Sequence, residues 1–197
     1  MSYLWRRLSP EKRKEVLEYR QLLKRPWHRP PHYEQGKIFY HLTAACFDHL
    51  PHIGHTPARM ATFCEVLLES LPGPPAAWCV LPNHYHVLVR CPDLRSVIQS
   101  LGQLHGKTSF LWNGEESQRG RKVWHSAADR GMHGENHFWA TLNYIHHNPV
   151  KHGYVDHWTD WPFSSAADFI DEVGREKAIE IWKSHPVLDY GNGWDDA

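Results

Sequence analysis

Two histidines separated by one residue, His84 and His86, stand inside the otherwise apolar run "VLPNHYHVLV" from Val80 to Val89. On a strand, residues i and i+2 project to one face, so both imidazoles point the same way while Tyr85 and Val87 point the other. Two neutral imidazoles on a rigid strand can bind one divalent ion, and such a site needs at least one further ligand. A second constellation lies in "NYIHHNPVKHG". On a helix, Tyr144 and Asn148 are four residues apart and share a face, so a phenol and a carboxamide oxygen can converge on one point. Each group also has a structural reading. The histidines can be a satisfied pair, Tyr144 a half-buried aromatic, and Asn148 the C-terminal cap of a helix stopped by Pro149.

The elements that must position these residues follow from periodicity and breakers. "KIFYHLTAACF" (Lys37 to Phe47) is apolar on both alternating faces, as a central strand requires. In "HTPARMATFCEVLLESLPG", Thr56 caps, Pro57 opens, and Met60, Phe63, Cys64, Leu67, Leu68 and Leu71 form a helical stripe until Pro72 and Gly73. "AAWCVL" and "HYHVLVRC" read as two strands joined through Pro82 and Asn83, hence an antiparallel hairpin. Asp93 caps a helix with Leu94, Val97, Ile98, Leu101, Leu104, Thr108 and Leu111 on its stripe, "NGEESQRGR" is a loop, and "KVWHSA" reads as a fourth strand. A further helix carries Phe138, Leu142 and Ile145 on one stripe and ends at Pro149. The order strand, helix, strand, strand, helix, strand predicts an α+β fold: a ferredoxin-like βαββαβ sandwich with an antiparallel sheet, a C-terminal tyrosine-bearing helix and helical extensions.

A chain of 197 residues with 41% hydrophobic content can bury one substantial core. Its charge sums to zero but is unevenly placed. Residues 1–30 hold nine Lys or Arg against three acids, 31–155 ten against nine, and 156–197 three against ten. The domain reading is therefore a basic N-terminal helix ("SPEKRKEVLEYRQLLK") with a Pro-rich linker over 1–35, a catalytic domain over 36–166, and an acidic helical tail over 167–197 with a helix near Asp171 to Lys183. No run of about 18 apolar residues predicts a membrane span, and the charged N-terminus is unlike a secretion signal. Cys46, Cys64, Cys79 and Cys91 form no CxxC pair and read as reduced core thiols. The expected location is the cytoplasm, at the nucleoid when bound to DNA.

The chain resembles the single-tyrosine transposases of the HUH nuclease superfamily, and is similar in particular to the REP-associated tyrosine transposases. The resemblance rests on "LPNHYHVLV", "YIHHNPVKHGYV" and "WTDWPFSS", and in element order it covers about Lys37 to Ala166. It implies His84, His86 and Asn148 as ligands of a divalent metal, Mg²⁺ or Mn²⁺, and Tyr144 as nucleophile. It also implies an enzyme of DNA transposition and recombination that cleaves and rejoins single-stranded, hairpin-flanked DNA through a 5′-phosphotyrosine. A free phenol has a pKa of about 10, so Tyr144 needs a base or a nearby cation. His125, His146 and His147 are candidates for that base.

Arg121, Lys122 and Lys151 are candidate DNA contacts, and Trp112, Trp124 and Trp139 are candidate stacking faces or core residues. Two other functions remain open: a catalytically silent, domesticated DNA-binding regulator, and a metal-dependent phosphodiesterase that uses water. The extension beyond "WPFSS" favours a monomer over a homodimer that exchanges its tyrosine helix.

Overall fold

A computed structural model of the chain describes residues 38–187 and, ahead of them, Ser9, Glu11, Lys14, Glu15 and Glu18. Glu11, Lys14, Glu15 and Glu18 are helical, with Lys14 and Glu18 paired at 3.9 Å one turn apart. The rest of the expected N-terminal helix, its linker and residues 188–197 lie outside the described residues.

Strand β1 (Phe39–Ala45) leads through two short 3₁₀ turns to helix α1 (Pro57–Glu69) and then to the hairpin of β2 (Ala77–Val80) and β3 (His84–Arg90). Helix α2 (Leu94–Glu115), strand β4 (Ala128–Gly131) and helix α3 (Glu135–Lys151) follow. The sheet runs β2-β3-β1-β4 with every neighbouring pair antiparallel, which is the ferredoxin-like sandwich expected from the element order. Both expected caps form. Thr56 Oγ1 accepts from Arg59 N at 3.1 Å, and Asp93 Oδ1 accepts from Ser96 N at 3.1 Å.

Alternation divides the sheet into two faces. Tyr40, Leu42 and Ala44 of β1, with Tyr85, Val87 and Val89 of β3, pack against Phe63 and Leu67 of α1 and Leu94 and Leu101 of α2. On the other face, Leu88, Ala77 and Cys79 meet Leu142, Tyr144 and Ile145 of α3. Each fully buried large aliphatic side chain of this second cluster, Leu88 and Ile145 among them, contributes about 1.5–3 kcal/mol toward holding α3 on the sheet. All four cysteines are buried free thiols.

Four expectations need correcting. The fourth strand is Ala128–Gly131, one step beyond "KVWHSA", in which Trp124 makes only an isolated bridge to Cys46. Thr43 pairs with Ala128, so Ala44 and Ala45 are matched by three residues, His125 to Ala127, and this bulge interrupts the ladder. Asp129 and Arg130 at the sheet edge carry no apolar signature, which hides the strand from a hydrophobicity reading.

Pro149 does not end α3, which continues to Lys151. The stop is Gly153 at φ 71°, where Gly153 N donates to Val150 O and Tyr154 N to Pro149 O, each at 2.9 Å. This pair of bonds is a Schellman termination, and it leaves Asn148 inside the helix instead of capping it. Leu111, placed on the stripe of α2, is 47% exposed, while its neighbour Trp112 enters the core. The single helix expected near Asp171 to Lys183 is two, α4 (Ala166–Val173) and α5 (Arg175–Ser184), broken at Gly174 with φ 82°.

Candidate active site

The turn ahead of β3 sets the first histidine. Asn83 Nδ2 donates to His49 O at 3.2 Å, which turns Asn83 Oδ1 toward His84 Nδ1 at 2.7 Å. A carboxamide oxygen only accepts, so in the tautomer that donates Nδ1–H to Asn83, the shorter of the two contacts His84 makes to a carboxamide oxygen, Nε2 presents a lone pair. That Nε2 lies 3.1 Å from Asn148 Oδ1 on α3. Two residues further along β3, the buried His86 ring lies 5.0 Å from that of His84 at an interplanar angle of 82°.

The helix side meets these two histidines in order. Tyr144 stands edge-on to His86, 5.3 Å between centroids, and Asn148 stands opposite His84. The match is geometric. Two residues on a strand advance about 6.6 Å and four on a helix about 6 Å, so an i,i+2 pair and an i,i+4 pair can be opposed one to one. Tyr144 and Asn148 are both buried, and Lys151 Nζ lies 5.3 Å from the centroid of the Tyr144 ring.

A residue that motif reading missed completes this cluster. His41, in the middle of β1 and 2% exposed, places Nε2 3.0 Å from His86 Nδ1, and its ring lies 6.0 Å from that of Tyr144. The parity of β1 puts His41 on the same face as Thr43. Only the register, in which Thr43 lies opposite His86 and His41 opposite Leu88, brings the two imidazoles together.

The candidate bases for Tyr144 are dispersed. His146 Nε2 bonds Ser165 Oγ at 2.9 Å, its ring stacks on Trp158, and burial pushes its imidazole down to about 3. His147 packs against Trp182 of α5, and burial followed by the nearby Lys151 charge lowers its pKa. His125 lies against Phe47 and His49.

Among the candidate DNA contacts, Arg121 gives Nε to Asn113 at 3.0 Å and Nη1 to Glu116 at 2.8 Å, while Lys122 sits over the Phe47 ring. Lys151 is exposed at the end of α3. Trp112 and Trp124 are core residues against Phe63, and Trp139 is tied to Glu135 on its own helix.

The "WPFSS" segment fastens this assembly at the free edge of β2. Val80 N donates to Phe163 O at 2.8 Å, Ser165 N to Trp78 O at 3.0 Å, and Trp161 Nε1 to Val80 O at 2.9 Å. Asn143 Nδ2 donates to His185 O at 2.9 Å, which ties α3 to the end of α5.

The donors gathered here are two imidazoles and a carboxamide oxygen. Among the described residues no three His, Cys, Asp or Glu side chains group as ligands of one ion, and the oxygen beside His84 is the carboxamide of Asn148. Two ligands at about 2.0–2.2 Å from a small divalent cation, at right angles, are about 3 Å apart. The 3.1 Å between His84 Nε2 and Asn148 Oδ1 fits that spacing, and in the Nδ1–H tautomer of His84 both atoms are electron-pair donors.

No protein-family model matches the chain. It is 31% identical over 132 residues, 61% of this chain and 72% of the relative, to a Haemophilus influenzae protein that carries the name REP-associated tyrosine transposase. The chain belongs to that family. A REP-associated tyrosine transposase of Escherichia coli K12 is 32% identical over 117 residues, 59% of this chain and 66% of the relative. The solved structure of a REP-associated tyrosine transposase bound to a REP hairpin superposes with a TM-score of 0.52 at 21% identity, over 74% of this chain and 87% of the other. That likeness shows a shared fold. The family is one of transposases, enzymes of DNA transposition, and no helix among the described residues is long and apolar enough to cross a membrane.

Proposed function

We propose that this chain cleaves and rejoins single-stranded DNA by transesterification, with Tyr144 as nucleophile and the pair His84 and His86 with Asn148 as a metal-binding set. One observation carries the reading: the phenol and the carboxamide of α3 are opposed one to one to the two histidines of β3. His84, His86 and Asn148 would hold Mg²⁺ or Mn²⁺, which when bound withdraws charge from the non-bridging oxygens of a phosphate. Asn83 keeps the lone pair of His84 directed at that point.

In the covalent step Tyr144 Oη forms a bond to phosphorus and the P–O3′ bond breaks. The phenol proton leaves, and the departing 3′ oxygen ends as a hydroxyl. A 3′-hydroxyl later attacks the phosphotyrosine and restores a phosphodiester, so rejoining needs no ATP. Lys151, exposed beside the Tyr144 ring, is the best placed of the three basic residues to meet a backbone phosphate. Arg121 is committed to Glu116 and Asn113, and its contribution is to brace the loop that carries Lys122.

The family's solved structure holds a REP hairpin, and a single strand flanked by a hairpin is the substrate proposed for this chain. The catalytic unit spans 36–166, with a basic extension before it and an acidic helical one after it. The proposed state is a monomer, the extension beyond "WPFSS" docking on α3 through the bond from Asn143 to the end of α5.

The test is incubation of purified protein with 5′-labelled and 3′-labelled hairpin oligonucleotides and Mn²⁺, followed by denaturing electrophoresis. The expected product is a covalent adduct that keeps the 3′ label and is absent with Tyr144→Phe and with His84→Ala. Cleavage that survives Tyr144→Phe points to a water-using phosphodiesterase. Binding without adduct across a broad hairpin library points to a DNA-binding regulator.

A further inference from the structure

We infer that His41 is a positioning residue that selects the tautomer of His86: it accepts the His86 Nδ1 proton and so leaves His86 Nε2 as a lone pair for the metal. The inference rests on the reading of His86 as a ligand.

The distance from His41 Nε2 to His86 Nδ1 is 3.0 Å, and the two side chains are 2% and 0% exposed. A hydrogen bond between two neutral imidazoles has one proton and two directions. If His41 donated, His86 would hold its own proton on Nε2 and could not ligate. If His86 donates, Nε2 is bare. Only the second direction is compatible with the metal set.

The same device serves the other histidine of the pair. Asn83 Oδ1 accepts from His84 Nδ1, with the amide held by His49 O, so each ligand candidate has its Nδ1 fixed by a polar group behind it. Metal-binding histidines are generally oriented in this way through their second nitrogen. The acceptor for His86 has to come diagonally across the sheet. Thr43, directly opposite His86, has its hydroxyl within 2.7 Å of Tyr85 O and donates there. Tyr144 then closes over both rings from α3, at 70° to His41 and 73° to His86.

The test combines Mn²⁺ titration by calorimetry with ¹⁵N-resolved imidazole spectra of the metal-free protein. Wild type is expected to show His86 protonated at Nδ1. His41→Phe, which keeps the ring volume and removes the acceptor, is expected to weaken Mn²⁺ binding about 10- to 100-fold. His41→Gln, which returns an acceptor at similar reach, is expected to recover most of that loss. Melting curves identify any variant that fails to fold, and the wild-type tautomer needs no variant at all. Unchanged Mn²⁺ affinity in folded His41→Phe, or a His86 proton on Nε2, overturns the inference. If the wild type binds no Mn²⁺ beyond the level of His84→Ala, the metal reading of the site falls, and the tautomer still decides the direction of the His41–His86 bond.

Discussion

His84 Nε2 faces Asn148 Oδ1 across 3.1 Å, and this contact is where the strand and the helix of the candidate site meet. Both atoms are acceptors once Asn83 has fixed the proton of His84 on Nδ1. A proton on Nε2 makes the contact a hydrogen bond, and in the Nδ1–H tautomer two lone pairs face each other across a gap of the width a small cation needs.

Asn148 substitutions separate a metal role from a packing role. Asn148→Leu keeps the volume and removes the donor, so Mn²⁺ affinity should fall at least 10-fold and the DNA adduct should disappear while the melting curve moves little. Asn148→Asp supplies a harder oxygen and should bind Mn²⁺ at least as tightly as wild type. Calorimetric Mn²⁺ titration reads both, and equal affinity for Asn148→Leu and wild type removes Asn148 from the ligand set.

Gly54 holds the turn that carries Asn83. Its N–H donates to Pro82 O at 2.9 Å, and a Cβ at this position would meet Pro82 Cβ at 2.5 Å. Gly54→Ala should therefore cost about 1–3 kcal/mol of stability through overpacking. It should also lower adduct yield, because the displaced turn no longer anchors His84. Urea unfolding and the adduct assay on the same preparation check the pair of effects.

Glu116 links α1, α2 and the loop after α2, with Arg59 Nη1 at 2.6 Å and Arg121 Nη1 at 2.8 Å. Chiefly the Arg121 hydrogen bond, with that of Arg59, brings its pKa down from 4.5 to about 2. A depressed carboxylate pKa stabilises the fold above the ordinary value, and the contribution is lost as pH falls from about 4.5 to about 2. Glu116→Gln should be less stable than wild type by about 1–3 kcal/mol at pH 7, with the gap closing across that acid window. A constant gap down to pH 2 would contradict the ion-pair account.

His105 braces β3 from the side opposite the candidate site. It bonds Tyr85 Oη at 3.0 Å, stacks on Trp124 at 4.3 Å, and burial lowers its pKa from 6.5 to about 4. The folded chain keeps this imidazole neutral while the unfolded chain protonates it, so stability falls with pH between about 6.5 and about 4, by up to ~1.4 kcal/mol per pH unit. His105→Gln keeps a partner for Tyr85 and should show a shallower acid slope in guanidinium titrations at pH 7 and pH 5. Equal slopes would mean that His105 is not held neutral.

Much of this architecture is legible in local pattern. The stripe of α1, its Thr56 and Pro57 start and the apolar alternation of β1 and β3 are short-range signals, because burial repeats with the period of each element. Edges and breaks are less legible. The β4 strand contains Asp129 and Arg130 and pairs along one side only, so no hydrophobic pattern announces it. Pro149 stops a helix by local rules, yet docking on the sheet and the Gly153 termination carry α3 past it.

The i,i+2 histidines and the i,i+4 tyrosine and asparagine are properties of the chain order alone, since each spacing fixes which side chains share a face whatever the element packs against. That these faces meet, Tyr144 over His86 and Asn148 over His84, depends on where α3 docks. The place of His41 depends on the register of β1 against β3. Register is set by pairing between segments about 45 residues apart, the separation of His41 and His86, and a shift of one residue would turn His41 to the opposite face.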